Sequence, residues 1–249
     1  MGLLAIAGGS APFGERGKYS CTGEAIRRLR NTTLDQNALD WDEHLRVAYV
    51  TDDLEQMRYA LERGADPNLA LHVGVEQYSD EDADSLLYWA MCSRREDFVR
   101  LLLQAGAMVA REEGYDSTSV HQAVQNNDRP ILELLLKADG AVALNWFDYL
   151  DRTPLMWAVA ENNLEMAALL LQAGSDVNAH NEVRIGNTAL RMAAERGDSE
   201  MVKLLLDAGA DPLIPGWMGL SAWDKVQDRR SAEGLKVREL IERAVRRRR

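Results

Sequence analysis

Residues Asp151 to Asn178 read DRTPLMWAVAENNLEMAALLLQAGSDVN, two short helical segments and a turn. Thr153 is placed to cap the first helix through its hydroxyl, and Pro154 at the first helical position lacks only an amide that would have no partner there. Leu155 with Ala158, and Met156 with Val159, carry three-residue apolar spacing over barely two turns. Asn162-Asn163 interrupts the pattern. A second helix follows with Met166, Leu169, Leu170 and Ala173 at i, i+3, i+4 and i+7, the spacing of one buried stripe. Gly174 ends it, because glycine takes a left-handed conformation without a Cβ clash. Neither helix is long enough to bury its apolar face alone. The pair requires neighbours of its own kind.

Those neighbours stand on both sides. TALRMAAERGDSEMVKLLLDAGADP opens at Thr188, TSVHQAVQNNDRPILELLLKADGA at Thr118 and SLLYWAMCSRREDFVRLLLQAGA at Ser85. A degenerate first copy, EHLRVAYVTDDLEQMRYALERGADPN, begins at Glu43, and a degenerate last copy, SAWDKVQDRRSAEGLKVRELIERAV, at Ser221. Recurrence at a period near 33 residues is the mark of stacked helix pairs. Here the chain resembles the ankyrin-repeat family, through TPLMWAVA, the TALRMAAERGDSEMVKLLLDAGADP copy and three further LLL-x-A runs. The short degenerate copies and the recurrent GADP look like bacterial members. The resemblance implies an all-α solenoid of about six helix–turn–helix units with hairpin-like loops, starting near residues 43, 85, 118, 153, 188 and 221. It covers residues 42–249 as one repeat domain, with residues 1–41 as an extension or helical cap.

The family's T-P-L-H histidine survives only as His121; Tyr88, Met156, Arg191 and Asp224 take its place in the other copies. The hydrogen bonds that this histidine supplies between repeats are therefore expected to be mostly missing, which lowers stability and leaves the fold unchanged.

The chain carries a net charge of −11. From Asp228 onward it holds nine basic and four acidic residues, an excess of five, so residues 1–227 carry −16. A field of that sign repels phosphates and favours a partner with a basic surface over nucleic acid. Two cysteines, Cys21 and Cys92, make no disulfide framework, which points to a reducing, cytoplasmic compartment. The apolar run near Met1 is too short for a secretory core, and no run approaches the ~20 apolar residues of a membrane span. EAIRRLR at 24–30 has the composition of a short capping helix, while residues 1–20 read equally as a leader. LALHVGVEQYSDEDAD, 69–84, reads as an extended loop.

No chemistry stands out. There is no phosphate loop with its lysine, His44, His72, His121 and His180 lack metal-ligand spacing, and no serine has a recognisable base. The expectation is a non-enzymatic protein with no catalytic residue, no metal and no cofactor.

What the fold leaves free is more informative. The family resemblance places partner contacts at the hairpin tips before each T-P-L motif and at the ends of the first helices. On this sequence the tips hold Tyr115; Phe147, Tyr149, Leu150 and Arg152; Ile185 with Arg184 and Asn187; and Trp217, Met218 and Leu220. The helix ends hold Gln125, Asn126, Ala160, Glu161, Glu195, Arg196, Asp228 and Arg229. Turns ordinarily favour Gly, Asn and Asp, so aromatic and aliphatic residues there mark an interaction surface. Trp89, Trp146 and Trp157 are assigned to packing. The reading is a protein–protein interaction module, an adaptor or, alternatively, an inhibitor or immunity protein that neutralises a toxin or effector enzyme. The partner and the oligomeric state are not encoded legibly.

Overall fold

The computed structural model describes residues 40–71, 84–109, 118–138, 140–181 and 186–248. The expectations placed on the amino-terminal extension, on the middle of the 69–84 loop, and on Tyr115, Arg184 and Ile185 lie outside the described residues. So does the side chain of Trp217.

Twelve α-helices are formed by the described residues: α1 Trp41–Thr51, α2 Leu54–Glu62, α3 Leu86–Cys92, α4 Glu96–Gln104, α5 Ser119–Gln125, α6 Arg129–Ala138, α7 Pro154–Ala160, α8 Leu164–Gln172, α9 Ala189–Arg196, α10 Ser199–Asp207, α11 Ala222–Val226 and α12 Ala232–Arg247. Two two-residue strands, β1 Ala70–Leu71 and β2 Asp84–Ser85, pair antiparallel at the base of the 69–84 loop, with Ala70 opposite Ser85. Chain contacts divide the molecule into two compact units, residues 1–93 and 94–249, and the division falls inside the second sequence copy.

After α1, which the Asp40 carboxylate caps, the first helices start the same way. The hydroxyls of Ser85, Thr118, Thr153, Thr188 and Ser221 accept the amides of Tyr88, His121, Met156, Arg191 and Asp224 at 3.1–3.3 Å, satisfying one orphan donor at each helix start. All the first helices but α11 also stop the same way. Asp52, Arg94, Asn127, Asn162 and Gly197 take left-handed backbone angles, φ between 51° and 86°. The following residue then caps the second helix through its side chain in four of these five turns: Asp53, Asp128, Asn163 and Asp198 accept amides of Gln56, Ile131, Met166 and Met201. The Asn162-Asn163 break is of this kind.

In the first unit α1 packs on α2, burying Leu45, Ala48, Met57 and Ala60. In the second unit the helices form two layers. First helices α5, α7, α9 and α11 pack side by side, and behind them α8, α10 and α12 pack in sequence, as α4 does on α6. The α7 face is as the spacing predicts, with Leu155, Met156, Ala158 and Val159 all buried. On α8 the buried set is Met166, Ala167 and Leu170, while Leu169 and Ala173 are half-covered. The stripe is thus shifted by part of a turn from the one the spacing predicts.

Side chains also join successive turns. Within the second unit the Asn145 side-chain oxygen accepts the amide of Asp176 at 2.8 Å, and that of Asn178 accepts the amide of Asp211 at 2.7 Å. In the first unit Asp42 does the same for Asp66 at 2.8 Å.

Leu170 has no exposed surface, so Leu170→Ala is expected to cost about 2–5 kcal/mol through lost burial and a cavity. A guanidinium midpoint equal to wild type would show that this face is not the core. The opposite sign is expected at Ser175. Ala65, Ala107 and Ala210 occupy the equivalent buried position in other copies, each donating its amide back to the helix as Ser175 does. The Ser175 hydroxyl is buried without a hydrogen-bond partner. Ser175→Ala should therefore raise stability by about 1 kcal/mol, read from the same melts.

Candidate protein-binding site

The tip between α6 and α7 is built on Asp148. Its amide donates to the carbonyl of Arg152 at 2.9 Å, and its carbonyl accepts from the amide of Asp151 at 3.0 Å, closing a three-residue loop. Asp151 supplies the left-handed residue that the loop needs, with φ 55°. The Asp148 carboxylate is buried and carries three donors. One oxygen accepts the amides of Leu150 and Arg152, each at 2.9 Å, and the other accepts the indole N–H of Trp157. The Arg152 guanidinium lies over the Trp157 ring, 4.8 Å from its centroid, a cation–π contact. Tyr149 and Leu150 project outward at 43% and 40% exposure.

A second tip follows the same closing pattern. Gly216 donates its amide to the carbonyl of Leu220 at 3.0 Å and accepts from the amide of Gly219 at 2.9 Å. Met218, at φ 61°, stands 80% exposed at its apex, flanked by exposed Leu213 and Leu220. Gly216 is required where it stands, because a Cβ there would meet the carbonyl oxygen of Gly186 at 2.7 Å and Arg191 Cδ at 3.1 Å. The tips of neighbouring repeats are thus in close backbone contact. Asn181 adds a bond to the Asp151 carboxylate at 3.0 Å.

His121 ties the first of these tips to the preceding repeat. A carbonyl can only accept, so Nε2 carries the proton and donates to the Arg152 carbonyl at 3.0 Å. Nδ1 then accepts from the amide and hydroxyl of Thr118 at 3.2 and 2.9 Å. Burial pushes the imidazole below its ordinary value; the Arg152 carbonyl, the Asp148 charge and the Trp146 carbonyl pull less strongly the other way. Elsewhere the position behaves as its chemistry dictates. Asp224 reproduces the local half, accepting from the Ser221 amide at 2.8 Å and hydroxyl at 2.6 Å, and these bonds hold its carboxyl below the usual range. Buried Arg191 turns to the Asn187 side chain and leaves Nε without a partner.

Of the residues singled out from sequence, Tyr149, Leu150 and Met218 are exposed on these two tips, Phe147 and Arg152 are half-buried, and Trp217 sits in the 3-10 turn Trp217–Gly219. Glu161 is exposed at the end of α7. Arg196 is also exposed, but its guanidinium donates to the Ala160 carbonyl. Arg229 likewise donates to the carbonyls of Ala194 and Glu195, so both cations meet the negative end of the preceding first helix. Sequence reasoning missed Asp148. The signal was present in D-Y-L-D-R, where an Asp two and four residues before free amides makes an Asx-type turn. Trp157 was read as packing and is also the indole donor to Asp148. Among the described residues no group of three or more His, Cys, Asp or Glu is placed to hold a metal, and no helix is long and apolar enough to cross a membrane.

A family model described as "Ankyrin repeats (3 copies)" matches residues 44–145 and 120–215. The chain belongs to the ankyrin-repeat family. Its structure is similar to the crystal structure of the ankyrin repeat domain of Bcl-3, described as a unique member of the IkappaB protein family, with TM-score 0.65 and 25% identity over 81% of this chain and 85% of that one. It is also similar to an ankyrin repeat domain from Acinetobacter baumannii AYE, with TM-score 0.67 and 23% identity over 81% of this chain and 97% of that one, a likeness of fold. No curated protein matches the chain. Ankyrin repeats are in general protein–protein interaction modules.

The Asp148 clamp makes a specific expectation for this ankyrin tip. Asp148→Asn keeps one oxygen for the two amides but sets an N–H₂ against the indole N–H of Trp157, costing about 1–3 kcal/mol. Adding Trp157→Phe removes the opposed donor, so the double variant should melt no lower than Trp157→Phe alone. A wild-type melting temperature for Asp148→Asn would contradict the clamp.

Proposed function

We propose that this ankyrin array binds a partner protein through the Tyr149–Leu150 and Met218–Leu220 tips. One observation carries the reading: of eight large apolar side chains exposed among the described residues, four lie on these two tips, Tyr149, Leu150, Met218 and Leu220, and a fifth, Leu213, stands three residues before the second. Both tips are closed by backbone hydrogen bonds, so the apolar side chains are offered on fixed supports and little conformational entropy is lost when they are covered. Exposed apolar clusters of this kind mark interaction surfaces. Residues 212–223 contain no charged side chain at all, which suits the dry centre of an interface.

The partner fitted to this surface presents an apolar patch with a basic surround. The −16 charge on residues 1–227 supplies the long-range attraction and disfavours nucleic acid or an anionic membrane. A chain with only two cysteines is in keeping with a reducing, cytoplasmic setting. The array has no need of a cofactor or a catalytic residue for such a role. Adaptor and inhibitor use the same surface; an enzyme partner silenced at one-to-one stoichiometry would make it an inhibitor.

Affinity capture from the native source with wild-type bait, set against Tyr149→Ala and Met218→Ala baits, identifies the partner; calorimetry then ranks the variants. A central anchor truncated to Ala is expected to lose about 2 kcal/mol, roughly thirtyfold in affinity, with an unchanged melting temperature. Gln172→Ala, on an exposed position of α8, should bind as wild type. Wild-type affinity in both tip variants would remove the proposed site.

A further inference from the structure

His121 has no exposed surface, yet it bridges two repeats. Its Nδ1 closes the cap of α5 on Thr118, and its Nε2 donates to the Arg152 carbonyl. That carbonyl is also the atom that closes the next tip, where it accepts the Asp148 amide. The closing atom therefore holds two donors, one from its own hairpin and one from the preceding repeat. The Gly216–Leu220 tip has the same closing bond, but the corresponding residue of the preceding repeat is Arg191, which turns to Asn187 instead. One tip is fastened by an imidazole and the other is not.

We propose that His121 makes the Tyr149–Leu150 tip acid-sensitive: proton uptake removes the Nδ1 acceptor and drives the charged ring out of the Thr118–His121–Arg152 bridge, which loosens that tip, while the Gly216–Leu220 tip stays closed. The consequence for function, weaker partner binding on acidification, rests on the reading of this tip as a docking site.

The chemistry follows from the donors. A neutral ring takes both Thr118 donors at Nδ1; a protonated ring keeps its Nε2–H bond to the Arg152 carbonyl but turns Nδ1 into a donor that faces the Thr118 N–H head-on and competes with the His121 amide for the Thr118 hydroxyl oxygen. The cation is also buried, and a buried charge needs a committed partner. The charged group facing it is the Asp148 carboxylate, already occupied by three N–H donors, with the carbonyls of Arg152 and Trp146 alongside. α7, packed against α5, carries no titratable side chain. On α6, also packed against it, Arg129 pairs with Glu133 and Lys137 is exposed. Neither helix adds to the pull of Asp148, which burial outweighs, and leaving the site is the ring's route to water.

The direction in pH is fixed by the same burial. The folded imidazole sits below 6.5, so the closed state binds this proton less readily than an open one. The bridge is at full strength above a pH of about 6.5 and weakens as the pH falls below it.

Amide exchange measured by NMR between pH 7.5 and 5.5, corrected for the intrinsic rate, tests this on the whole chain without a partner. Protection at the Leu150 and Arg152 amides and at the Trp157 indole should fall on the order of tenfold per pH unit below about 6.5. Protection at Gly216 should stay level. In His121→Gln, where a non-titrating amide donor reaches toward the Arg152 carbonyl, the pH dependence at Leu150 and Arg152 should vanish. Level protection at Leu150 across the range, parallel loss at Gly216, or an unchanged pH dependence in His121→Gln would each overturn the proposal. If the glutamine variant fails to fold, the comparison of the two tips within the wild type still decides. A tip that loosens on cue but binds no partner would refute the proposed function and leave this inference standing.

Discussion

A seven-residue helix begins with four amides that have no intrahelical partner and offers little length over which to recover the loss. The hydroxyl of Ser85, Thr118, Thr153, Thr188 or Ser221 removes one of those orphans in every copy after the first, at a fixed place in the repeat. The rest of the unit depends on that choice. With the start pinned, the next turn of the chain falls at a fixed distance, where a left-handed residue and an Asp or Asn cap launch the second helix. Burial then comes from stacking: the apolar face of α7 is covered by α5 before it and α9 after it, and that of α8 by α7 and α10, which is the nearest-neighbour logic of repeat arrays.

This division explains what was legible. Hydroxyl caps, breaks at Asn162-Asn163 and terminal glycines are local chemistry, and they stand in the sequence where the structure uses them. The α7 face was legible for the same reason, since a short helix packed on both sides leaves few ways to arrange PLMWAVA. The α8 face was read a part-turn out, with Leu169 and Ala173 in the stripe instead of Ala167. Hydropathy alone cannot separate three consecutive leucines; the neighbour's position decides which one is covered. The site followed the same rule. That Tyr149, Leu150 and Met218 stand outward follows from their place in a turn, whereas the capture of Arg196 by the Ala160 carbonyl depends on a neighbouring helix end. Asp148 was passed over because its partners are amides and an indole, which leave no complementary charge in the sequence to betray them.

The position four residues into each copy shows how one backbone accepts different chemistry. His121 reaches both its own cap and the next repeat. Asp224 has the acceptor but not the reach, so the local cap survives and the bridge is lost. Arg191 has reach but no acceptor, and its Nε remains buried and unpaired. Met156 offers only bulk, buried in the core. The coupling between repeats that a second and third histidine would have supplied is carried instead by Asn145 and Asn178, whose side-chain oxygens accept the backbone amides of Asp176 and Asp211, and by arginines at helix ends. Such bonds cross between repeats at the surface, where water competes, and each is worth less than a buried one. An array assembled this way is held by its apolar layers, with its polar ties acting mainly on alignment.

Alignment is what the two tips need. An apolar side chain on a floppy loop would collapse onto the nearest hydrophobic surface and present nothing. Tyr149 and Leu150 are prevented from doing so by a buried carboxylate with every oxygen engaged, and by a tryptophan held between that carboxylate and Arg152. At the other tip there is no such side-chain scaffold. Gly216 instead lets the backbone settle against Gly186, and Met218 accepts a left-handed angle that most side chains avoid, a local cost of order 1 kcal/mol. A strained residue whose side chain is almost wholly in water gains nothing from its own fold. The proposed docking role would give that strain a use.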